Sequence, residues 1–148
     1  MPLQFPPHAA EECARFFFSF SRIESALKET GCWKTQNGGV APDWNTFIER
    51  NEAAYTLSDA GAELLRLDPM RQVAIDRTLT WQPLFFKPEA SNMKRVVETL
   101  KTVRNNLFHG GKTGGDAEHR TIALMRCGTA VIEELAQMGL ENEYRGTY

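Results

Sequence analysis

"SNMKRVVETLKTVRNNLFHGG", residues 91–111, predicts a long helix with one apolar face. Ser91 has a side chain that caps helix N-termini, and the pair Gly110-Gly111 is typical of a helix end. Between these positions, apolar side chains recur at steps of three and four residues, which is the spacing of one helix face packed against a core. They are Met93, Val96, Val97, Leu100, Val103 and Leu107.

Arg104 lies in the middle of this apolar face. If Met93 is taken as the origin, a rotation of about 100° per residue places Arg104 at about 20°. A guanidinium in such a position requires acceptors, because the burial of an unpaired charge is strongly unfavourable. Two interpretations remain open: a carboxylate from another helix pairs with Arg104, or the face opens there into a polar cleft or a site for an anionic ligand.

Two further long helices are predicted, over residues 10–30 and after Asp116, and they end at Gly31 and Gly139. The apolar face of the first contains Cys13, Phe16, Phe17, Phe20, Ile23 and Leu27. That of the last contains Leu124, Met125, Gly128, Val131, Ile132 and Leu135. Phe18 lies on the opposite side of the first helix, so it either makes a second intramolecular contact or lies at a subunit interface.

The middle of the chain predicts shorter elements. Asp43 and Ser58 are candidate caps of two short helices, and a third helix is predicted to begin near Met70, after an Asp-Pro pair. Residues 34–43, "KTQNGGVAPD", have the Gly and Pro content of a loop. Residues 80–90, "TWQPLFFKPEA", predict an irregular connection that covers one end of the helices.

Few segments alternate with a period of two, so an all-α fold is predicted: a bundle of long antiparallel helices plus short ones. The 148 residues fit one domain, 1–148, with its core at about residues 10–138. The composition is that of an ordinary globular protein, with 42% hydrophobic residues. No apolar segment approaches the ~20 residues that cross a bilayer, and the N-terminus does not resemble a signal peptide, so a cytoplasmic location is expected.

Basic residues are concentrated in one part of the chain. The formal net charge is −2, yet residues 94–126 contain seven basic and three acidic side chains. The basic members are Lys94, Arg95, Lys101, Arg104, Lys112, Arg120 and Arg126. The net charge disfavours a protein that coats nucleic acid over its whole surface, but a local basic surface in this region is expected.

Arg104, Asn105 and His109 together suit a metal-free reaction on RNA. Asn105 and His109 share a face if the helix continues, and the negative end of the helix dipole favours a protonated His109. In RNA cleavage through the 2′-hydroxyl, a base removes the hydroxyl proton while a cation stabilises the pentavalent phosphorane. The residues alone also allow structural roles: Arg104 in a salt bridge and His109 as a helix cap. Glu24 and Arg22 of the first helix could reach the region of Arg104, either in a structural ion pair or as support for the site.

A nucleotide-binding loop is not predicted, although Gly111, Lys112 and Thr113 match the end of its pattern. The first glycine of that pattern falls at Asn106, inside a helix, and no strand precedes it. In a glycine-rich loop, Lys112 and Thr113 either contact an RNA backbone or belong to a solvated connection.

Neither a metal nor a cofactor is expected. The three cysteines are widely spaced, which disfavours a disulfide framework. His109, His119 and Cys127 match none of the common zinc-binding spacings.

The chain resembles the HEPN family. Arg104-Asn105 followed by His109, late in one helix and before a final long helix, resembles the R-x4-6-H signature of HEPN domains. "FSFSRIESALKETG", residues 18–31, is similar to the first helix of several members. The resemblance covers about residues 10–138, and the form "FHGGK" looks like a plasmid- and defence-associated branch.

This resemblance implies an all-α bundle that pairs as a homodimer and brings two copies of the motif into one cleft. It implies a metal-independent endoribonuclease of a toxin–antitoxin, phage-defence or RNA-processing system, although other members only bind RNA, a nucleotide or a protein partner. By position, His109 is the acid/base residue, Arg104 the phosphate stabiliser and Asn105 the accompanying polar residue. The implied products carry a 2′,3′-cyclic phosphate and a 5′-hydroxyl.

One position departs from a well-known toxin branch of the family. That branch carries a tyrosine two residues after the histidine, and its antitoxin modifies this tyrosine. Here the position is Gly111. The departure puts a tyrosine-modifying antitoxin in doubt, while another antitoxin or protein partner remains an expectation.

Overall fold

The computed structural model describes residues 7–108 and 118–146, which form six helices and two β-hairpins. The helices are α1 (Pro7–Glu29), α2 (Trp44–Asn51), α3 (Asp59–Leu67), α4 (Asn92–Phe108), α5 (Glu118–Ala136) and α6 (Glu141–Arg145). The strands are β1 (Trp33–Gln36), β2 (Gly39–Pro42), β3 (Arg71–Ile75) and β4 (Thr78–Gln82). Within these two ranges, no helix has the length and apolar character to cross a bilayer.

The three predicted long helices are confirmed as α1, α4 and α5, and their apolar faces supply most of the core. They meet at Gly128 on α5. A Cβ atom at Gly128 would lie 2.6 Å from Cε2 of Phe16 on α1 and 3.3 Å from Cδ1 of Leu100 on α4. The missing side chain at position 128 is therefore what allows the three helices to approach one another so closely.

The predicted caps at Asp43, Ser58 and Ser91 are confirmed. In each case the backbone amide three residues later donates a hydrogen bond to the side-chain oxygen, at 3.2, 3.0 and 3.1 Å respectively. Ser58 also donates a hydrogen bond of 2.5 Å to Oε2 of Glu134. This second bond connects the start of α3 to α5.

Replacement of Ser58 by alanine is expected to lower the free energy of unfolding by about 1–2 kcal/mol, because the cap and the bond to Glu134 are both lost. Urea unfolding followed by circular dichroism measures this change. Ser21→Ala, at an exposed position of α1, is the matched control and should change the free energy by less than about 0.5 kcal/mol. Equal effects of the two substitutions would contradict the structural role assigned to Ser58.

The prediction of an all-α fold is wrong, because residues 34–43 contribute to a β-hairpin rather than a loop. β1 and β2 pair antiparallel, with Lys34 opposite Ala41. Asn37 and Gly38 have φ values of 50° and 79°, as the two central residues of a type I′ turn require. The Asn-Gly pair was thus a usable hairpin signal, but the strands beside it lack alternating apolar residues.

The second hairpin was also missed, and the helix predicted near Met70 is wrong. Asp68 ends α3 in the left-handed conformation, with φ of 46°, and the chain then becomes extended in β3. β3 and β4 pair antiparallel across Asp76 and Arg77, whose φ values are 49° and 63°. Arginine rarely adopts this conformation, so the turn was not predictable from its residue types.

Two aromatic side chains lie on the surface. Residues 80–82, predicted as part of an irregular connection, belong to β4, and Phe85 in the following connection is 87% exposed. Phe18 on α1 is 62% exposed, so its interpretation as a second intramolecular contact is wrong.

Arg22 on α1 has a structural role at the other end of the described chain. Its buried guanidinium donates hydrogen bonds to the backbone carbonyls of Glu143, Tyr144 and Gly146, at 2.5, 3.0 and 2.9 Å. These bonds attach α6, a helix that the sequence did not predict, to α1.

Candidate functional site

Arg104 on α4 lies against an aromatic ring of α1. Its Cζ atom is 5.0 Å from the centroid of the buried Phe20 ring, which is within the range of a cation–π interaction. Its Nε atom is buried and has no hydrogen-bond partner among the described residues. The guanidinium is thus positioned by packing, and one of its donors is left unsatisfied by the described residues.

The two candidate supports on α1 make contacts elsewhere. Glu24 accepts a hydrogen bond of 2.9 Å from Nε1 of Trp44, and Arg22 binds the carbonyls around α6. In residues 7–108 and 118–146, no carboxylate forms an ion pair with Arg104. The interpretation in which a carboxylate pairs with Arg104 therefore has no support in this part of the chain.

Asn105 faces a different element from Arg104. Its exposed side chain lines a groove between α4 and β3, together with Arg71 and Lys101. Successive helical residues diverge by about 100°, which accounts for the separation. The structure thus brings Asn105 together with Arg71 of the hairpin, and it does not place the side chains of Arg104 and Asn105 against the same surface.

The other predicted site residues, His109, Lys112 and Thr113, lie outside the described residues. The same holds for Gly110-Gly111 and for the predicted cap Asp116. These residues lie in the chain between Phe108, the last residue of α4, and Glu118, the first residue of α5.

Two polar side chains that sequence reasoning did not single out hold together the elements around the predicted site. Asn106 donates a hydrogen bond of 2.8 Å from Nδ2 to the carbonyl of Met70. Arg120 on α5 donates from Nη2 to the carbonyls of Leu67 and, at 3.1 Å, Asp68. Their partners are backbone groups at the end of α3, which residue types alone cannot identify.

The thiols near these helices are poorly suited to nucleophilic or metal-binding roles. Burial raises the pKa of Cys13 and of Cys127, and the negative charge of Glu63 raises the pKa of Cys127 further. Both thiols therefore stay protonated at neutral pH. Among the described residues, no three His, Cys, Asp or Glu side chains cluster in a way that could hold a metal ion.

The chain matches no model of a known protein family, no curated protein and no solved structure. A functional proposal therefore depends on the residues of this chain and on their geometry.

Proposed function

We propose that this protein is a metal-independent endoribonuclease of HEPN type. Arg104 carries the proposal: it lies on Phe20, has no carboxylate partner among the described residues, and keeps a buried Nε atom without a hydrogen bond. Four residues separate Arg104 from His109, as in the R-x4-6-H signature. An arginine positioned in this way is suited to bind a phosphate next to an acid/base histidine.

In the proposed reaction, His109 accepts the proton of a ribose 2′-hydroxyl. The 2′-oxygen attacks the adjacent phosphorus, the bond from phosphorus to the 5′-oxygen breaks, and a protonated histidine supplies the proton to the leaving oxygen. Arg104 stabilises the negative charge of the phosphorane. Asn105 positions a phosphate oxygen or the histidine, and Lys112 and Thr113 bind the RNA backbone.

The active form is proposed to be a homodimer in which both copies of Arg104 and His109 line one cleft. The ring of Phe18 on α1 is a candidate contact between the subunits, because it is a large apolar side chain that is 62% exposed. A cytoplasmic toxin or phage-defence effector, controlled by an antitoxin or another protein partner, is the biological role that fits this activity.

The proposal depends on α1 and α4 and does not require a wholly helical chain. The hairpin of β1 and β2 lies between α1 and α2, and that of β3 and β4 lies between α3 and α4. Both hairpins are therefore additions between helices, and α4 runs uninterrupted through Arg104.

A second candidate is a HEPN-like dimer that binds RNA, a nucleotide or a protein partner without cutting. The orientation of Asn105 favours it, since this side chain lines a groove with Arg71 and does not face Phe20 beside Arg104. In that case, His109→Ala would leave the activity of the protein in cells largely intact.

The test is the incubation of total RNA with the purified protein in EDTA, followed by analysis of the product ends. We expect cleavage that leaves 2′,3′-cyclic phosphate and 5′-hydroxyl ends. His109→Ala, purified in the same way, controls for contaminating nucleases. Failure of the purified dimer to cut a broad set of RNAs, with or without a partner, would contradict the proposed activity.

A further inference from the structure

A groove in two adjoining parts lies along α4 beside the hairpin of β3 and β4. Its first part has a volume of about 490 Å³ and lies next to Asn105. Its second part, of about 670 Å³, extends towards Phe85. The two parts share Arg71, Leu84 and Glu98, so they adjoin each other on the surface.

Positive charge predominates in this groove. The lining contains four basic side chains and two carboxylates: Arg71, Lys87, Lys94, Lys101, Glu89 and Glu98. Glu98 is already paired, since its Oε1 lies 3.2 Å from Nζ of Lys94 and 3.6 Å from Nζ of Lys101. Arg71 is exposed and forms no ion pair with any described residue. The groove is therefore complementary to an anion, although the chain as a whole is negative.

Aromatic rings lie at the far end of the groove. Phe85 is 87% exposed, and the neighbouring Phe86 lies under the guanidinium of Arg95, with 5.4 Å between Cζ and the ring centroid. A groove with basic side chains and an exposed aromatic ring, here Phe85, has the features that bind single-stranded nucleic acid: the cations contact phosphates and the ring stacks on a base.

We propose that this groove binds the single-stranded segment of RNA next to the scissile phosphate, with Arg71 and Lys101 on phosphates and Phe85 stacked on a base. The proposal rests on the proposed function, because it takes RNA as the ligand. The groove reaches the turn of α4 that carries Arg104, since Asn105 lines the groove and directly follows Arg104 in the chain. A protein partner fits less well, because lysine and glutamate are depleted at protein interfaces, whereas three lysines and two glutamates line this groove.

The experiment measures binding without cleavage. The probe is a fluorescein-labelled RNA of mixed sequence, about twelve nucleotides long and 2′-O-methylated throughout, so that it lacks the attacking hydroxyl. Fluorescence anisotropy gives its dissociation constant at several salt concentrations for the wild type, for Arg71→Gln/Lys101→Gln, and for Phe85→Ala. The matched control is Arg15→Gln/Lys28→Gln, which removes the same charge from exposed positions of α1.

The groove double variant should bind at least about tenfold more weakly than the wild type, and its salt dependence should fall by about 1.4 logarithmic units per decade, as expected for the loss of two phosphate contacts. Phe85→Ala should weaken binding by about fivefold or more, with little change in salt dependence. The control should bind nearly as the wild type does. Circular dichroism verifies that each variant is folded.

If the groove double variant and the control bind equally, the proposed groove is wrong, while the cleavage of total RNA still tests the proposed function separately. If the wild type does not bind the probe, the groove is not an RNA site, and a protein becomes the occupant to seek. If the wild type binds the probe through Arg71 and Lys101 but cuts no RNA, the groove is supported and the proposed cleavage fails.

Discussion

Arg104→Ala is expected to lower the rate of RNA cleavage by about 100–1,000-fold, because it removes the cation that stabilises the phosphorane. His109→Ala should reduce the rate at least as much, since a general base contributes about 10²–10⁴-fold. Arg104→Lys should also lose most of the activity, because lysine keeps the charge but cannot offer the planar, two-pronged donor arrangement of a guanidinium. Single-turnover cleavage of a labelled RNA in EDTA measures these rates.

The stability of Arg104→Ala separates a role in catalysis from a role in the fold. Arg104 forms no ion pair among the described residues and stacks on Phe20, so its loss should change the free energy of unfolding by no more than about 1–2 kcal/mol. A buried ion-pair member would instead cost about 3–5 kcal/mol. Arg126→Ala is the matched control: it removes an exposed arginine that pairs with Glu12 at 2.9 Å, and cleavage should be unchanged. Normal cleavage by Arg104→Ala would contradict the assigned role.

The helices that pack along their whole length were predictable from the sequence. Apolar spacing located α1, α4 and α5, and side-chain oxygens at Asp43, Ser58 and Ser91 located helix starts. These signals are local, because a helix satisfies its hydrogen bonds within one segment.

The hairpins were missed because their strands are largely exposed and so lack the alternation that marks a strand with one buried face. Every side chain of β1 is exposed, and only Val73 of β3 is partly buried. The turn at Asp76-Arg77 also carries no glycine, so its left-handed backbone had no sequence signal.

Only part of the geometry around Arg104 was predictable from the sequence. The position of Arg104 within an apolar face indicated that its charge needed a stabilising partner. The structure shows the Phe20 ring of α1 as that partner. The spacing could not show that Asn105 would face the hairpin of β3 and β4, since that hairpin was itself missed. Contacts between distant segments, such as Asn106 with the carbonyl of Met70, depend on the path of the chain.

Gly128→Val is expected to destabilise the protein by about 3 kcal/mol, which corresponds to a fall of about 6–12 °C in melting temperature for a chain of this size. The added Cβ alone would lie 2.6 Å from Cε2 of Phe16, whose ring is fully buried and cannot move aside without displacing core neighbours. Gly128→Ala should cost less, because alanine regains up to about 1 kcal/mol of helix propensity. Thermal unfolding followed by circular dichroism measures both variants.

Ala130→Val is the matched control, since it places the same side chain at an exposed position of α5 and should cost only the helix propensity of valine, about 0.5 kcal/mol. A smaller side chain at position 16 should relieve the clash with the added Cβ atom. In Phe16→Leu/Gly128→Ala, the destabilisation should therefore be less than the sum of the two single effects, with a coupling of about 1 kcal/mol. Additive effects, or equal melting temperatures for Gly128→Val and Ala130→Val, would mean that Gly128 is not where α1 and α5 make their close approach. Coupling would instead establish that the packing of α1 depends on Gly128. The position of the Phe20 ring, which lies beneath Arg104 on α1, would then depend on a glycine 24 residues after Arg104 in the chain.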